Sequence, residues 1–77
     1  MSIKFKISYP DQSTRFVEYV FNNFKSFDFD MVHYDGDNNK ITTRPAFNHQ
    51  ISKVLRNLVR NANNNNAIVK IVERNSN

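Results

Sequence analysis

The start of the chain alternates strictly between polar and apolar side chains, and no other stretch constrains the fold as firmly. The apolar side chains of this stretch are Ile3, Phe5, Ile7 and Tyr9, and the polar ones between them are Lys4, Lys6 and Ser8. A period of two residues is typical of a β-strand that buries one face and exposes the other. The sequence therefore predicts a sheet whose covered face carries the apolar set and whose open face carries the lysines.

Length and composition limit what can be built around this sheet. A chain of 77 residues forms one domain, 1–77, and a domain of this size buries only about 60 to 65% of the surface that the unfolded chain exposes. Seven Phe and three Tyr supply the bulk that such a small core needs. Because there is no Cys, disulfides and Cys-based zinc sites are excluded. With no apolar run of signal-peptide or membrane-span length, we expect a cytoplasmic protein with no membrane partner.

Residues 13–25 show a helical spacing of apolar side chains. At 100° per residue, one side of this stretch carries Phe16, Val17, Val20, Phe21 and Phe24. Pro10 precedes the stretch, and the side chain of Asp11 or Ser13 would cap its first turn. We therefore predict an amphipathic helix of about three turns.

The rest of the chain is typical of a hairpin, a second helix and a final strand. Residues 27–44 alternate around "DGDNN", which predicts two strands joined by a turn and ended by Pro45. Residues 46–62 repeat apolar side chains at helical spacing. The apolar face of this helix consists of Phe47, Ile51, Val54, Leu55, Leu58 and Ala62. The Asn run 63–66 ends the helix, and "AIVKIVER" is a strand, with residues 74–77 expected to fray.

The predicted order of elements is strand, helix, strand, strand, helix, strand. It indicates an α+β, ferredoxin-like βαββαβ sandwich, with a four-stranded antiparallel sheet of order 4-1-3-2 and two helices on one face. Many unrelated functions use this arrangement, so it assigns no role. The strand "NKITTR" has no aromatic side chain and the chain has a single Gly, so the signatures of an RNA-recognition motif and of a KH domain are missing.

Charge is distributed unevenly along the chain. The net charge is +4, yet residues 28–37 contain four Asp, whereas residues 38–77 contain seven Lys or Arg and one acid, Glu73. Such a one-sided segment favours a polyanionic partner or an acidic protein surface.

The second predicted helix concentrates its bases on one side. Basic side chains recur at spacings of four, three and four residues from His49 to Arg60, which places them within about 60° of one another. Because no acid balances them, we predict that they contact phosphates; the alternative is an ordinary solvated helix face. The predicted nucleic-acid-binding residues are Arg44, His49, Lys53, Arg56, Asn57 and Arg60.

A second basic surface is expected on the open face of the sheet. If the alternation holds in every strand, Lys40, Thr42 and Arg44 face outward together. The secondary basic sheet face then consists of Lys4, Lys6, Lys40 and Lys70. It lies opposite the helices, and a one-residue slip in register would invert it. Aromatic platforms for unpaired bases are expected to be missing, apart from Tyr34.

Catalytic and metal sites are not predicted. The aspartates around "DGDNN" lack the spacing and the terminal Glu of a calcium loop, and charges there would also discourage pairing at a sheet edge. His33 and His49 lie on different predicted elements, and the chain has no glycine-rich phosphate loop. We therefore expect no enzyme activity, no cofactor and no metal.

Together these patterns predict a small non-enzymatic protein that binds DNA or RNA with low sequence specificity through its basic helix face. The alternative is a protein-interaction module, an inhibitor or adaptor of the kind that phages and mobile elements encode, that binds an acidic surface of a larger protein. The chain is expected to be a monomer, or a homodimer that pairs through its last strand.

Overall fold

Five strands and one helix make up the part of the chain that the computed structural model describes, residues 1–22, 28–47 and 49–76. The elements are β1 (Ser2–Ser8), β2 (Thr14–Phe21), β3 (Asp28–Tyr34), β4 (Lys40–Phe47), α1 (Ile51–Asn64) and β5 (Ile68–Asn75). The strands form one sheet in the order β4-β3-β2-β1-β5, and every neighbouring pair is antiparallel. The predicted ferredoxin-like βαββαβ sandwich is therefore wrong, although the α+β composition remains.

β2 stands where the first helix was predicted, because its apolar side chains fit both periods. Val17, Tyr19 and Phe21 are buried on one face of the strand, while Phe16 and Val20 belong to the other face. The helical pattern merges these two faces into one broad apolar arc. β-branched and aromatic side chains pack well on a pleated surface, and β2 pairs with both β1 and β3, so these residues form a strand and not a helix. Four residues of the predicted first helix and hairpin lie outside the described residues: Asn23, Phe24, Lys25 and Phe27.

The turns between β1 and β2 and between β3 and β4 share one design. A backbone hydrogen bond, Tyr9 to Ser13 in the first and Asp35 to Asn39 in the second, closes a three-residue loop whose third residue has a positive φ, 71° at Gln12 and 65° at Asn38. In the first turn the carboxylate of Asp11 accepts the backbone N–H of Ser13 at 2.9 Å. Asp35 accepts two backbone N–H groups in the second turn. The predicted helix cap at Asp11 therefore closes a hairpin, and the predicted "DGDNN" turn is confirmed.

β4 continues through Pro45, which was expected to end it. The strand pairs with β3 alone, and an edge strand tolerates Pro because the missing N–H is not required for a second neighbour. β4 includes Phe47, so that residue does not belong to the helix. α1 consequently begins at Ile51, five residues after the predicted start, with Gln50 as its N-cap residue.

α1 packs its apolar side against one face of the sheet. The buried centre of this core consists of Val17, Tyr19, Phe21, Phe29 and Ala46. The α1 side chains that pack against it are Ile51, Val54, Leu55 and Leu58, which confirms these predicted core positions. Tyr19 makes edge-to-face contacts with Phe5 and Phe29, with ring centroids 5.8 and 5.9 Å apart, and burial raises its pKa to about 12. The described part of the chain contains no helix long and apolar enough to cross a membrane.

The Asn run ends α1 in a Schellman motif. Asn66 adopts a φ of 57°. The N–H of Ala67 donates to the C=O of Ala62 at 2.8 Å, and the N–H of Asn66 donates to the C=O of Asn63 at 3.1 Å. Ala62 and Ala67 are both buried, which supplies the apolar contact that accompanies this motif. The predicted helix terminator is confirmed.

β5 forms the second edge of the sheet, beside β1, as predicted for the last strand. It continues through Asn75, so residues 74 and 75, which were expected to fray, are part of the strand, and Asn77 lies outside the described residues. The register shifts by one residue opposite the Lys4–Phe5 bond. This bulge leaves Lys70 and Glu73 on the same face of the sheet, whereas regular alternation would separate them.

Replacing Asn66 with Ala should destabilise the protein by about 1 kcal/mol, because Ala is disfavoured in the left-handed backbone conformation that Asn and Gly tolerate. Asn66→Gly should not destabilise it. Asn64→Ala, two residues earlier at the last helical position, serves as the control and should be neutral or slightly stabilising. Urea denaturation of the three variants measures the difference, and equal effects at positions 64 and 66 would contradict the Schellman assignment.

Candidate functional site

Within residues 1–22, 28–47 and 49–76, α1 packs on one face of the sheet and no other helix or strand covers the opposite face, which we call the open face. On β1 the side chains that pack toward the core are Ile3, Phe5 and Ile7, as predicted. Alternation puts Lys4, Lys6 and Ser8 on the opposite face. Residues directly opposite each other on neighbouring strands share a face, so the register extends this division from β1 across the whole sheet.

One line of side chains crosses all five strands on the open face, and we name it the basic–aromatic row. From one edge to the other it consists of Lys40, Tyr34, Phe16, Lys6 and Lys70, each the direct partner of the next. With neighbouring strands about 4.8 Å apart, the row is about 19 Å long. The two end lysines are exposed and the three residues between them are half-buried. The row therefore holds two adjacent aromatic rings with lysines on both sides.

Lys4 lies in the neighbouring line of the open face, between Glu18 on β2 and Glu73 on β5. Only 7% of this lysine is exposed. Its Nζ lies 3.8 Å from the ring centroid of Tyr34 and 5.3 Å from that of Phe16. The ammonium is thus stabilised by two ring faces, while Glu18 and Glu73 are its partners in register on the two adjacent strands. Although it belongs to the secondary basic face predicted from the sequence, its charge is screened from solvent.

Several contacts hold the ring of Tyr34 in place. Its hydroxyl donates a 2.8 Å hydrogen bond to Oε1 of Glu18, and the Nζ of Lys4 on its ring donates a hydrogen bond to Oδ1 of Asn38. Burial, followed by the hydrogen bond and the charge of Glu18, raises the pKa of Tyr34 to about 12, so the hydroxyl remains a donor at neutral pH. Lys4 is buried whereas Tyr34 is half-buried. The ring therefore screens the ammonium from solvent, and not the reverse.

The helix residues predicted to bind nucleic acid are only partly on α1. Those that α1 carries are Lys53, Arg56, Asn57 and Arg60, and all four are exposed. His49 is exposed but precedes the helix, so it does not extend the stripe by another turn. Arg56 and Arg60 line a shallow groove along α1 together with Leu55 and Val59, and Val59 is 47% exposed. This surface is basic and partly apolar.

A β-bulge separates the basic residues of β4. The register shifts between His33 and Tyr34, so Lys40 lies opposite Tyr34 on the open face while Arg44 lies on the helix side. The expectation that Lys40, Thr42 and Arg44 share a face is therefore wrong. Ile41 is the extra residue of the bulge, and it puts Lys40 on the opposite face from Thr42 and Arg44.

His33 lies on the helix side of the sheet, where it is the strand partner of Val17. Burial, and then the charges of Arg44 and Arg15, lower the pKa of His33.

Phe16 is the member of the row that the sequence analysis misses, because helical periodicity assigns it to the core. The signal that could find it is the run of β-branched and aromatic residues in "TRFVEYVF", which favours a strand and so places alternate residues on opposite faces. In a strand, Phe16 lies on the same face of the sheet as Glu18, and Tyr19 lies on the other face.

Replacing Lys4 with Met should destabilise the protein by about 2 kcal/mol, because it removes a buried cation that lies against two aromatic rings and donates a hydrogen bond to Asn38. Lys6→Met, on the same strand and face, is the control and should change the free energy of unfolding by less than about 0.5 kcal/mol. Chemical denaturation at pH 7 gives both values. Equal losses in the two variants would contradict a structural role for Lys4.

The chain's own surfaces are the basis for assigning a function to it. No protein-family model matches the sequence, and no curated protein or solved structure is significantly similar to it. In the described ranges, no group of three or more His, Cys, Asp or Glu side chains is arranged to hold a metal ion.

Proposed function

We propose that this chain is a cytoplasmic, non-enzymatic protein that binds nucleic acid with low sequence specificity, and that it binds through the open face of its sheet. The basic–aromatic row supplies cations at both ends and aromatic rings between them. Phosphate contacts from lysines depend little on base sequence, so such a surface would favour nucleic acid in general over one particular site.

The observation that carries this proposal is the pairing of Lys6 with Lys70. They are direct partners on antiparallel strands of the open face, where like charges opposite each other are unfavourable. No acid belongs to the row itself, since Glu18 and Glu73 are the strand partners of Lys4 in the neighbouring line. A bound phosphate would relieve the repulsion between the two ammonium groups.

The stripe on α1 supports nucleic-acid binding less strongly than the row does. Its bases lie on the other side of the sheet, so a short nucleic acid cannot contact both surfaces without wrapping around the molecule. Arg56 and Arg60 share their groove with Leu55 and the exposed Val59. A mixture of bases and apolar side chains suits an acidic protein surface better than a phosphate backbone, and it makes a protein partner at α1 the second candidate function.

Two triple variants with the same change in net charge would test which surface binds. The first, K6Q/K40Q/K70Q, alters the row, and the second, K53Q/R56Q/R60Q, alters α1. Fluorescence anisotropy with labelled single-stranded and duplex DNA and RNA at several salt concentrations gives the affinity and its salt dependence. We expect the row variant to lose at least about tenfold in affinity, and its log–log salt slope on single strands to become shallower by about 2. The α1 variant should stay within about threefold of the unaltered protein.

Each of the other outcomes has a definite meaning. Equal losses of affinity in both variants would indicate that net charge alone attracts the nucleic acid. A loss of affinity confined to the α1 variant would place the binding site on α1. If the unaltered protein does not bind any of the nucleic acids at low salt, the proposed function is wrong.

A further inference from the structure

We infer that Phe16 and Tyr34 form a stacking platform for unpaired nucleobases, and that the ligand of the open face is therefore single-stranded nucleic acid. This inference rests on the proposed function and names the class of ligand for the same surface. It goes beyond the phosphate contacts of the lysines, because a platform for bases distinguishes single strands from duplexes.

The position of the two rings is the first ground. Phe16 and Tyr34 are direct partners on the neighbouring strands β2 and β3, at the centre of the basic–aromatic row. Both are half-buried, and the helix that completes the core packs against the opposite face of the sheet. Unpaired bases stack on aromatic side chains held in this way, whereas the bases of a duplex are stacked on one another and cannot reach them.

The fixed orientation of Tyr34 is the second ground. Its hydroxyl is bound to Glu18 at 2.8 Å, and the Nζ of Lys4 lies 3.8 Å from its ring centroid on the side that is screened from solvent. Since one side of the ring covers the buried ammonium, the other side is the one that a base can approach. A ring that is already fixed loses little conformational freedom when a base stacks on it.

The lysines of the row determine how a single-stranded nucleic acid would lie on the open face. Lys40 is beside Tyr34, and Lys6 and Lys70 follow Phe16 on the other side. A single strand that runs along the row would place phosphates near the lysines at both ends and two successive bases on the central rings. Its path would cross the β-strands, over a length of about 19 Å.

An oligonucleotide that has phosphates but no bases separates stacking from charge. The probes are a labelled oligothymidylate 20-mer, an abasic 20-mer with the same backbone, and a 20-base-pair duplex, all at one low salt concentration. We expect the unaltered protein to bind the oligothymidylate at least about tenfold more tightly than the abasic strand, as stacking of one or two bases would give. It should also prefer the oligothymidylate to the duplex.

Two substitutions at one position then test the platform. Phe16→Leu keeps an apolar side chain but removes the ring, so it should lower oligothymidylate affinity toward that of the abasic strand and leave abasic binding unchanged. Phe16→Tyr keeps the ring and should retain the preference. Circular dichroism checks that both variants are folded. If Phe16→Leu does not fold, the three probes on the unaltered protein decide alone.

The results distinguish the two proposals. If the oligothymidylate and the abasic strand bind equally, the stacking platform is wrong, while the proposed function stands as long as K6Q/K40Q/K70Q weakens both. If Phe16→Leu leaves the preference intact, the assignment to this pair is wrong. If no probe binds, the proposed function itself fails.

Discussion

In the described part of the chain one helix has to complete the core of a five-stranded sheet, and the rest of the structure depends on this constraint. α1 has 14 residues and packs its apolar side against one face of the sheet, and the opposite face carries Lys4, Lys6 and their partners on the neighbouring strands. The apolar side chains of α1 and the buried aromatic residues meet on the covered face. On the open face, the buried Lys4 is held by the rings of Phe16 and Tyr34 and by a hydrogen bond to Asn38.

The spacing of apolar residues predicts an element correctly where it fits either the strand period of two residues or the helical period of 3.6, but not both. Strict alternation identifies β1, and the turn chemistry of "DGDNN" and of the Asn run identifies a hairpin and a helix end. Residues 14–21 are wrongly predicted as helical, because Phe16 and Val20 add apolar side chains to the open face and so produce a helical spacing. From that one error follow the wrong sheet order and the loss of Phe16 from the candidate site.

Two β-bulges mark a second limit of pattern reasoning. A bulge changes the face of every residue beyond it, and it leaves no firm signal in a single sequence. In β4 the bulge separates Lys40 from Arg44, and in β5 it brings Glu73 to the face of Lys70. Charge counting has a similar limit, since Lys4 contributes to the net charge as much as Lys6 does, yet it is buried and engaged with the rings.

The pairing of β5 with β1 has a consequence for the order in which the molecule assembles. The first four strands pair with their neighbours in sequence, whereas β5 returns to β1 and places Asn75 opposite Ser2. Contacts between distant parts of a chain form more slowly than local hairpins, so we expect β5 to join a sheet that the first four strands have already formed. Lys70 reaches Lys6 only at that step. Any anion that prefers the completed row would, by mass action, hold the last strand in the sheet, and ligand binding would then be coupled to the final step of folding.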